Sequence, residues 1–410
     1  MNVFDDFEWR GLVYHATDGV KDALANERVT AYIGFDPTAS SLHAGSLLTV
    51  MGLARLQRFG HTPIAILGAG TGMIGDPSGK SLERHLLSPE QIDANARGVR
   101  EQLERFLDFD AKPNAAKIIN NADWLAKLDL LGFLRDTGKY FTVNYMLEKE
   151  SVSRRLGSDE GISFTEFSYL LLQARDFLEL FDREKCTLHM GGSDQLGNIT
   201  AGIELIRKLR GKKAHGLVWP LMKTSSGTKF GKTEHGTIWL DAARTPPYEF
   251  YQFFYNTDDR HVISYLKLFT WLDRAAIDAL EKETAAAPQK REAQRTLARE
   301  VTQMVHGGEG LAAAEKETAA KFGGGSDDDV AAIEIAASRL TDGMAYTDFM
   351  VAVSLAQSKG EAMRTIKQGG FYLNDSRVTD ERGKVTLADV VDGRIRARKG
   401  QKERRLVRVG

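Results

Sequence analysis

The sequence predicts an α/β protein built on a parallel sheet with helices packed on both faces. Two observations carry that reading. Apolar runs of strand length recur at residues 29–35, 62–67, 117–119, 186–190 and 217–221, bounded by turn residues. Segments of helical periodicity lie between them, so strand and helix alternate. Alternation calls for crossover connections, and crossovers bury a parallel sheet on both sides.

The elements justify themselves in order. Residues 29–35 end in Asp36-Pro37, a strand running into a turn. Leu47, Leu48, Met51, Leu56 and Phe59 then fall near one face of a helix. A second strand over 62–67 closes in Gly68-Ala69-Gly70-Thr71-Gly72, which reads as a glycine-dense loop. Ser88-Pro89-Glu90 opens another helix, with Ser88 as N-cap and Pro89 at the first helical position. From about Tyr248 to Phe322 the strand signals stop, and Pro288 and Gly307-Gly308 punctuate packed helices. Gly323 to Asp329 is glycine-rich and then acidic, and a small α+β unit follows Gly343. The expected organisation is therefore an α/β domain over 1–222, a loop and helical domain over 223–322, a linker over 323–342 and a module over 343–410, with no internal repeat.

Composition narrows the class. A chain of 410 residues, 42% of them hydrophobic, has room for several cores. The single cysteine, Cys186, excludes an internal disulfide and reads as a small buried residue in a strand. No Cys/His cluster has zinc-ligand spacing, so no metal ligands are expected. No apolar run approaches the roughly 18 residues of a spanning helix, and Met1 to Asp6 lacks the pattern of a signal peptide. A cytoplasmic, reduced location and no membrane partner are the expectation. The net charge of −1 conceals an asymmetry, because residues 343–410 carry 14 Lys+Arg against 8 Asp+Glu. A basic end of that kind attracts polyanions.

Two familiar motifs are excluded by their surroundings. Gly70, Gly72 and Gly75 match a dinucleotide fingerprint by letter, but Asp76-Pro77-Ser78-Gly79 follows where that motif needs a helix. Gly79-Lys80-Ser81 resembles the end of a P-loop, yet Ile74 stands where its first glycine belongs. What remains is a glycine-rich segment with Asp76, Lys80 and Arg84, a carboxylate for an ammonium group and cations for phosphate. His43-Ala44-Gly45-Ser46 marks a helix start, where amides and the dipole favour anions, although a histidine there also serves as a cap. Lys229-Phe230-Gly231-Lys232-Thr233 puts two lysines in a loop suited to closing over a substrate, or simply to solvent.

Together these segments resemble a family. Phe35-Asp36-Pro37-Thr38 with His43-Ala44-Gly45 resembles the first signature of the class I aminoacyl-tRNA synthetases, and Lys229 to Thr233 resembles their second. The stretches 74–80, 161–169, 191–195, 231–234 and 247–252 are similar to those of the bacterial tyrosyl members. The resemblance implies a Rossmann-like catalytic domain, a helical domain and a small α+β RNA-binding module. It implies activation of L-tyrosine by ATP, with Mg2+ accompanying the nucleotide, then transfer to tRNA(Tyr), by a homodimer. Thr38, His43, Lys80, Arg84, Lys229 and Lys232 would act on the phosphates, with Gly45 and Asp194 also at the nucleotide. Tyr32 and Asp176 would hold the phenol. Asp76, Tyr169 and Gln173 would hold the ammonium group, and Asp36 and Gln195 would lie along the substrate. Arg364 and Lys367 would contact tRNA. Ser46 and Leu196 depart from the pattern, replacing a histidine and a tryptophan. Tryptophanyl synthetases share the fold and both signatures, but Tyr32, Asp176 and the C-terminal unit argue for the tyrosyl branch. A catalytically idle RNA-binding relative is the other alternative, and the retained His43, Asp176, Lys229 and Lys232 argue against it.

Overall fold

The computed structural model describes residues 2–78, 86–157, 161–222, 230–233, 236–322, 333–374, 376–391, 393–400 and 403–410. Spatial proximity divides the chain into two compact units, Met1–Gly307 and Gly308–Gly410.

The first unit is organised by a six-stranded sheet: β1 (His15–Ala16), β2 (Thr30–Phe35), β3 (Thr62–Leu67), β4 (Lys117–Asn120), β5 (Leu188–Gly192) and β6 (His215–Trp219). Their spatial order is β1-β6-β5-β2-β3-β4. Strands β2 to β6 are mutually parallel, as the alternation of strands and helices requires. The two-residue β1 is the exception, an antiparallel edge strand on β6 too short to leave a sequence signal. Five of the six residues of β3 are buried, the mark of a strand covered on both faces. Tyr32, Ile64 and Ile66 pack with Phe177 and Leu178 of the helix Phe164–Glu184 and with Leu205 of the helix Leu196–Arg210.

Two local expectations need correcting. The glycine-dense segment after β3 contains one helical turn, Ala69–Gly72, whose start is held by Asn121 Oδ1 accepting from the Gly70 amide at 2.8 Å. Cys186 is buried as expected but precedes β5 by two residues, and burial raises its thiol pKa. The helix Pro89–Leu103 does begin with Ser88 accepting from Gln91 N, in a full capping box.

The described remainder of the unit is mostly helical, with Pro247–Tyr255, Asp259–Phe269 and Arg274–Ala286 leading to the long segment Glu292–Phe322, whose residues after Gly307 belong to the second unit. Gly307, at φ 71°, breaks that segment, a conformation that favours glycine.

In the second unit the strands β9 (Ile333–Ile335), β11 (Phe371–Leu373), β12 (Ser376–Arg377), β14 (Arg394–Lys399) and β15 (Glu403–Val409) form a sheet ordered β12-β11-β14-β15-β9, and β10 (Met344–Ala345) pairs antiparallel with β13 (Lys384–Val385). Phe349, Phe371, Ile395 and Val407 are fully buried in its core. Strand β9 lies inside the stretch read as linker. It pairs in parallel with β15 and buries Ile335, so part of that stretch is built into the sheet, while residues 323–332 are outside the described set. The basic run that resembles a tail from composition is largely a β14–β15 ribbon, in which Ile395 and Ala397 alternate inward between arginines.

Candidate active site

In an open parallel sheet, ligands bind at the carboxyl ends of the strands where the strand order reverses. Here that place is between β2 and β5. A cavity of about 450 Å³ opens there, lined by Phe35 and Asp36 from the end of β2 and by Gly191, Gly192 and Asp194 from the end of β5. Every described member of the candidate set for tyrosine, ATP and phosphate lines it: Tyr32, Asp36, Thr38, His43, Gly45, Asp76, Tyr169, Gln173, Asp176, Asp194, Gln195 and Lys232. Lys80, Arg84 and Lys229 lie outside the described residues.

The deep end is a closed hydrogen-bond network. Asp176, 3% exposed, accepts from Asn121 Nδ2 at 2.9 Å and from Trp124 Nε1 at 2.7 Å, one donor on each carboxylate oxygen. Burial pushes Asp176 up to about 7 against the opposing pull of those two donors. Asn121 follows β4 directly and is fully buried, and Trp124 is one helical turn further on. Neither was legible as a site residue from sequence, although the polar pair Asn120-Asn121 at the carboxyl end of a strand was a usable signal. His189 was also missed: it interrupts an apolar strand, and its register partner on β2 is Tyr32. The two rings stack at 4.0 Å, with Tyr32 Oη 2.8 Å from His189 Nδ1.

A second cluster flanks this one. Asp36 accepts from Thr71 Oγ1 at 2.8 Å and from the Tyr169 hydroxyl at 3.0 Å. Tyr169, Gln173 and Asp176 all project from the helix Phe164–Glu184 into the cavity, the shared face that their spacing implies. Asp76 accepts from Gln195 Nε2 at 2.7 Å and from the Ser78 amide at 2.8 Å. Gln195 in turn accepts from Gln173 and Asn198, each at 3.1 Å.

The mouth is built differently, by backbone meeting backbone. His43 caps the turn Ala44–Ser46 ahead of the helix Leu47–Arg58, accepting the Ser46 amide on Nδ1 at 3.2 Å. Capping therefore fixes the neutral ring with its proton on Nε2. The two readings of His43, cap and cavity residue, are both met. Ser46, in place of histidine, lines the cavity with its hydroxyl 3.4 Å from His43 Nδ1. Part of the second signature is a hairpin, not a loop: β7 (Lys232–Thr233) pairs with β8 (Gly236–Thr237). The Ala44 amide donates to Ile238 O at 2.8 Å, and the Leu240 amide to Leu42 O at 2.9 Å, tying the two signatures together. Their approach needs glycines. A Cβ on Gly45 would sit 2.9 Å from the Phe230 carbonyl oxygen, and one on Gly231, at φ +83°, would sit 2.7 Å from the Gly45 nitrogen. Phe230 anchors the hairpin among Phe253, Tyr265 and Phe269, with ring centroids 5.2, 5.0 and 5.1 Å away. Lys232 and Thr38 are exposed at this rim. Among the described residues, no group of three or more His, Cys, Asp or Glu is placed to hold a metal ion.

A family model described as tRNA synthetases class I (W and Y) matches residues 24–323. The chain belongs to that family. A second model, the tyrosine–tRNA ligase SYY-like C-terminal domain, matches residues 326–407. The chain is 54% identical to the tyrosine–tRNA ligase of Roseiflexus castenholzii, covering 99% of each. It is 50% identical to that of Geobacillus stearothermophilus over the full length of both. Among solved structures, a C-terminally truncated mitochondrial tyrosyl-tRNA synthetase from Aspergillus nidulans aligns at a TM-score of 0.70 and 31% identity, over 77% of this chain and 93% of that one. A tryptophanyl-tRNA synthetase from Encephalitozoon cuniculi aligns at 0.54 and 15%, over 79% and 88%, a likeness of fold alone. The α/β class expected from strand and helix alternation is thus the fold of a class I synthetase. In its second unit, Arg364 and Lys367 are exposed on the last turn of the helix Lys359–Lys367, and Lys367 lies 3.6 Å from the Glu381 carboxylate. No described helix is long and apolar enough to cross a membrane.

Proposed function

We propose that this class I synthetase is a tyrosine–tRNA ligase, which activates L-tyrosine with ATP to tyrosyl-adenylate and pyrophosphate and then esterifies the terminal adenosine of tRNA(Tyr). The observation that carries the reading is Asp176. A buried carboxylate with one donor on each oxygen, beside a buried tyrosine at the closed end of a cavity, suits a phenolic hydroxyl and wastes its charge on an apolar ring. A site built to hydrogen-bond a hydroxyl rejects the analogue that lacks it, because its polar groups are left dry and unpaired; tyrosyl-tRNA synthetases are the type case.

The remaining roles follow from position in the cavity. Asp76, Tyr169 and Gln173 take the ammonium group, and Asp36 and Gln195 lie along the amino acid, Asp36 already orienting the Tyr169 hydroxyl. The tyrosine carboxylate is itself the nucleophile, so activation needs no base and no covalent enzyme intermediate. It attacks the α-phosphorus of ATP, forming the P–O bond to the acyl group while the bond to pyrophosphate breaks. The protein's task is positioning and stabilisation of charge on the transferring and leaving phosphates. His43 Nε2–H, Thr38 and Lys232 supply donors at the mouth, with Lys80, Arg84 and Lys229 assigned to the same task by family resemblance. Gly45 leaves room for the nucleotide, and Asp194 is assigned to the ribose. Mg2+ enters with ATP as part of the substrate.

The residue spans 1–222 and 223–322 are read as the catalytic and helical domains, and 343–410 as the RNA-binding module. Arg364 and Lys367 contact tRNA there through backbone phosphates, so binding weakens as salt rises. A cytoplasmic homodimer is the proposed form. Leu130, Leu131 and Phe164, exposed at 69%, 77% and 77%, are apolar surface that a second copy would cover. The test is exchange of labelled pyrophosphate into ATP across the twenty amino acids. Tyrosine alone is expected to support it, and a chain lacking residues 333–410 is expected to keep exchange while losing most tRNA charging. Exchange driven by tryptophan instead would overturn the assignment.

A further inference from the structure

Tyr32 has one hydroxyl proton, and two places can take it. The hydroxyl oxygen is 2.8 Å from His189 Nδ1, so Tyr32 either donates to that nitrogen or accepts from it. If it donates, it has no proton to offer a ligand. The choice lies in the tautomer of His189, and a chain of hydrogen bonds fixes that tautomer.

The chain starts at Asp76. The Asp76 carboxylate accepts from Gln195 Nε2 at 2.7 Å, so Gln195 Oε1 faces the other way. That oxygen accepts from Gln173 at 3.1 Å and from Asn198 at 3.1 Å, so Gln173 presents its nitrogen there. The opposite end of the Gln173 amide, Oε1, accepts from Asn198 at 2.9 Å, which fixes Gln173 a second time. Gln173 Nε2 also stands 3.5 Å from His189 Nε2. A protonated Nε2 would point a donor at a donor. His189 therefore carries its proton on Nδ1, donates to the Tyr32 oxygen and leaves the Tyr32 proton directed elsewhere.

We propose that His189 is the positioning residue that makes Tyr32 a hydrogen-bond donor to the substrate's phenolic oxygen, leaving Asp176 to accept the phenolic proton. This rests on the tyrosine-activating reading above and deepens it. A phenol offers one proton and accepts one, and the two buried groups then match it in both senses, whereas a Tyr32 that spent its proton on His189 would not. The arrangement is rigid: Tyr32 and His189 are register partners on β2 and β5, their rings stack, and Phe177 closes the remaining side of the imidazole edge-on at 5.4 Å. Burial holds His189 neutral by pushing it down to about 3, so the direction does not invert at physiological pH. The same chain joins the phenol end of the pocket to Asp76 at the ammonium end.

The direct test is the tautomer of His189 in the unmutated full chain labelled with 15N-histidine, read from long-range proton–nitrogen correlations and assigned by loss of the signal in His189→Asn. A neutral ring protonated on Nδ1 is expected, and protonation on Nε2 overturns the proposal. The functional test is the ratio of kcat/KM for tyrosine over phenylalanine in pyrophosphate exchange. His189→Leu, which removes the donor, is expected to lower that ratio about tenfold, the worth of one redirected hydrogen bond. His189→Asn keeps an N–H near the Nδ1 position and is expected to stay within about threefold of the wild type. Exchange by the wild type with an unchanged ratio in His189→Leu sinks the role of His189 alone. Failure of the wild type to exchange with tyrosine sinks the ligase reading and this role with it.

Discussion

The two ends of one cavity are made in opposite ways. At the deep end, Tyr32, Asp76, Tyr169, Asp176 and His189 are all buried, and each already has a side-chain partner. At the mouth, Thr38 and Lys232 are exposed, and the two signature segments are joined through backbone amides and carbonyls. On the proposed function, the difference reflects what each end must recognise. Selecting one amino acid from its near-isostere requires polar groups already dry and aimed, since a flexible site would rearrange to suit either. Stabilising phosphate charge as it develops requires donors that matter most in the transition state, and these gain little from being sealed in the ground state.

That contrast is open to test, and the largest effect is expected at the deep end. Asp176→Ala removes the proposed acceptor of the phenolic proton and strands Trp124 Nε1, while Asn121 Nδ2 loses one of its two acceptors and keeps Thr71 Oγ1 at 3.0 Å. Tyrosine-dependent exchange should vanish, and stability should drop by roughly 1–3 kcal/mol for the buried donor left without a partner. A variant that still activates tyrosine would show that the pocket end is not prebuilt around this carboxylate. Lys232→Ala tests the mouth. Adenylate formation should slow by about 10²–10³ while tyrosine affinity is unchanged, since one transition-state donor is typically worth about 3 kcal/mol. Equal losses in rate and affinity would erase the distinction between the ends.

A smaller effect is expected from Gly45→Ala, which would put a methyl group 2.9 Å from the Phe230 carbonyl oxygen and force the hairpin away from His43. Overpacking of this kind costs roughly 1–3 kcal/mol, so adenylate formation should fall about tenfold with tyrosine binding intact. Single-turnover kinetics with separately titrated tyrosine distinguish the two parameters. A stability slope tests the deep end without touching the substrate. Asp176 is raised from 3.8 to about 7 in the folded chain, so folding favours its protonated form. Its contribution is complete below the unfolded value of 3.8, declines as pH rises and levels off above about 7. The melting temperature of the wild type minus that of Asp176→Asn should follow that decline between pH 4 and 8. A difference that grows with pH would mean the carboxylate is stabilised as the anion.

The legibility of the site follows the same divide. Strand β3 was readable to the residue, because a doubly covered strand must be apolar throughout. Strand β1 was not, because two residues on an edge carry no period. His43, Lys232 and Gly45 stood out in the sequence because the motifs that resemble the family's two signatures are short local runs. Asn121, Trp124 and His189 did not stand out, since each acts on a partner at least 50 positions away: 55 and 52 for the bonds to Asp176, and 157 for the bond to Tyr32. The linker reading of residues 333–335 failed for a related reason. Ile333 and Ile335 gain their meaning only from pairing with Val407 and Val409.

The sequence by itself determined the alternation of strand and helix, the local signatures at the cavity mouth and the chemical types of the groups around it. Those properties live in periods of two to four residues, which chain geometry imposes wherever the segment lies. Tertiary structure alone decided which polar groups meet at the closed end, and with which hydrogen-bond direction. Parallel pairing of β2 with β5 sets Tyr32 against His189, and no local pattern contains that register.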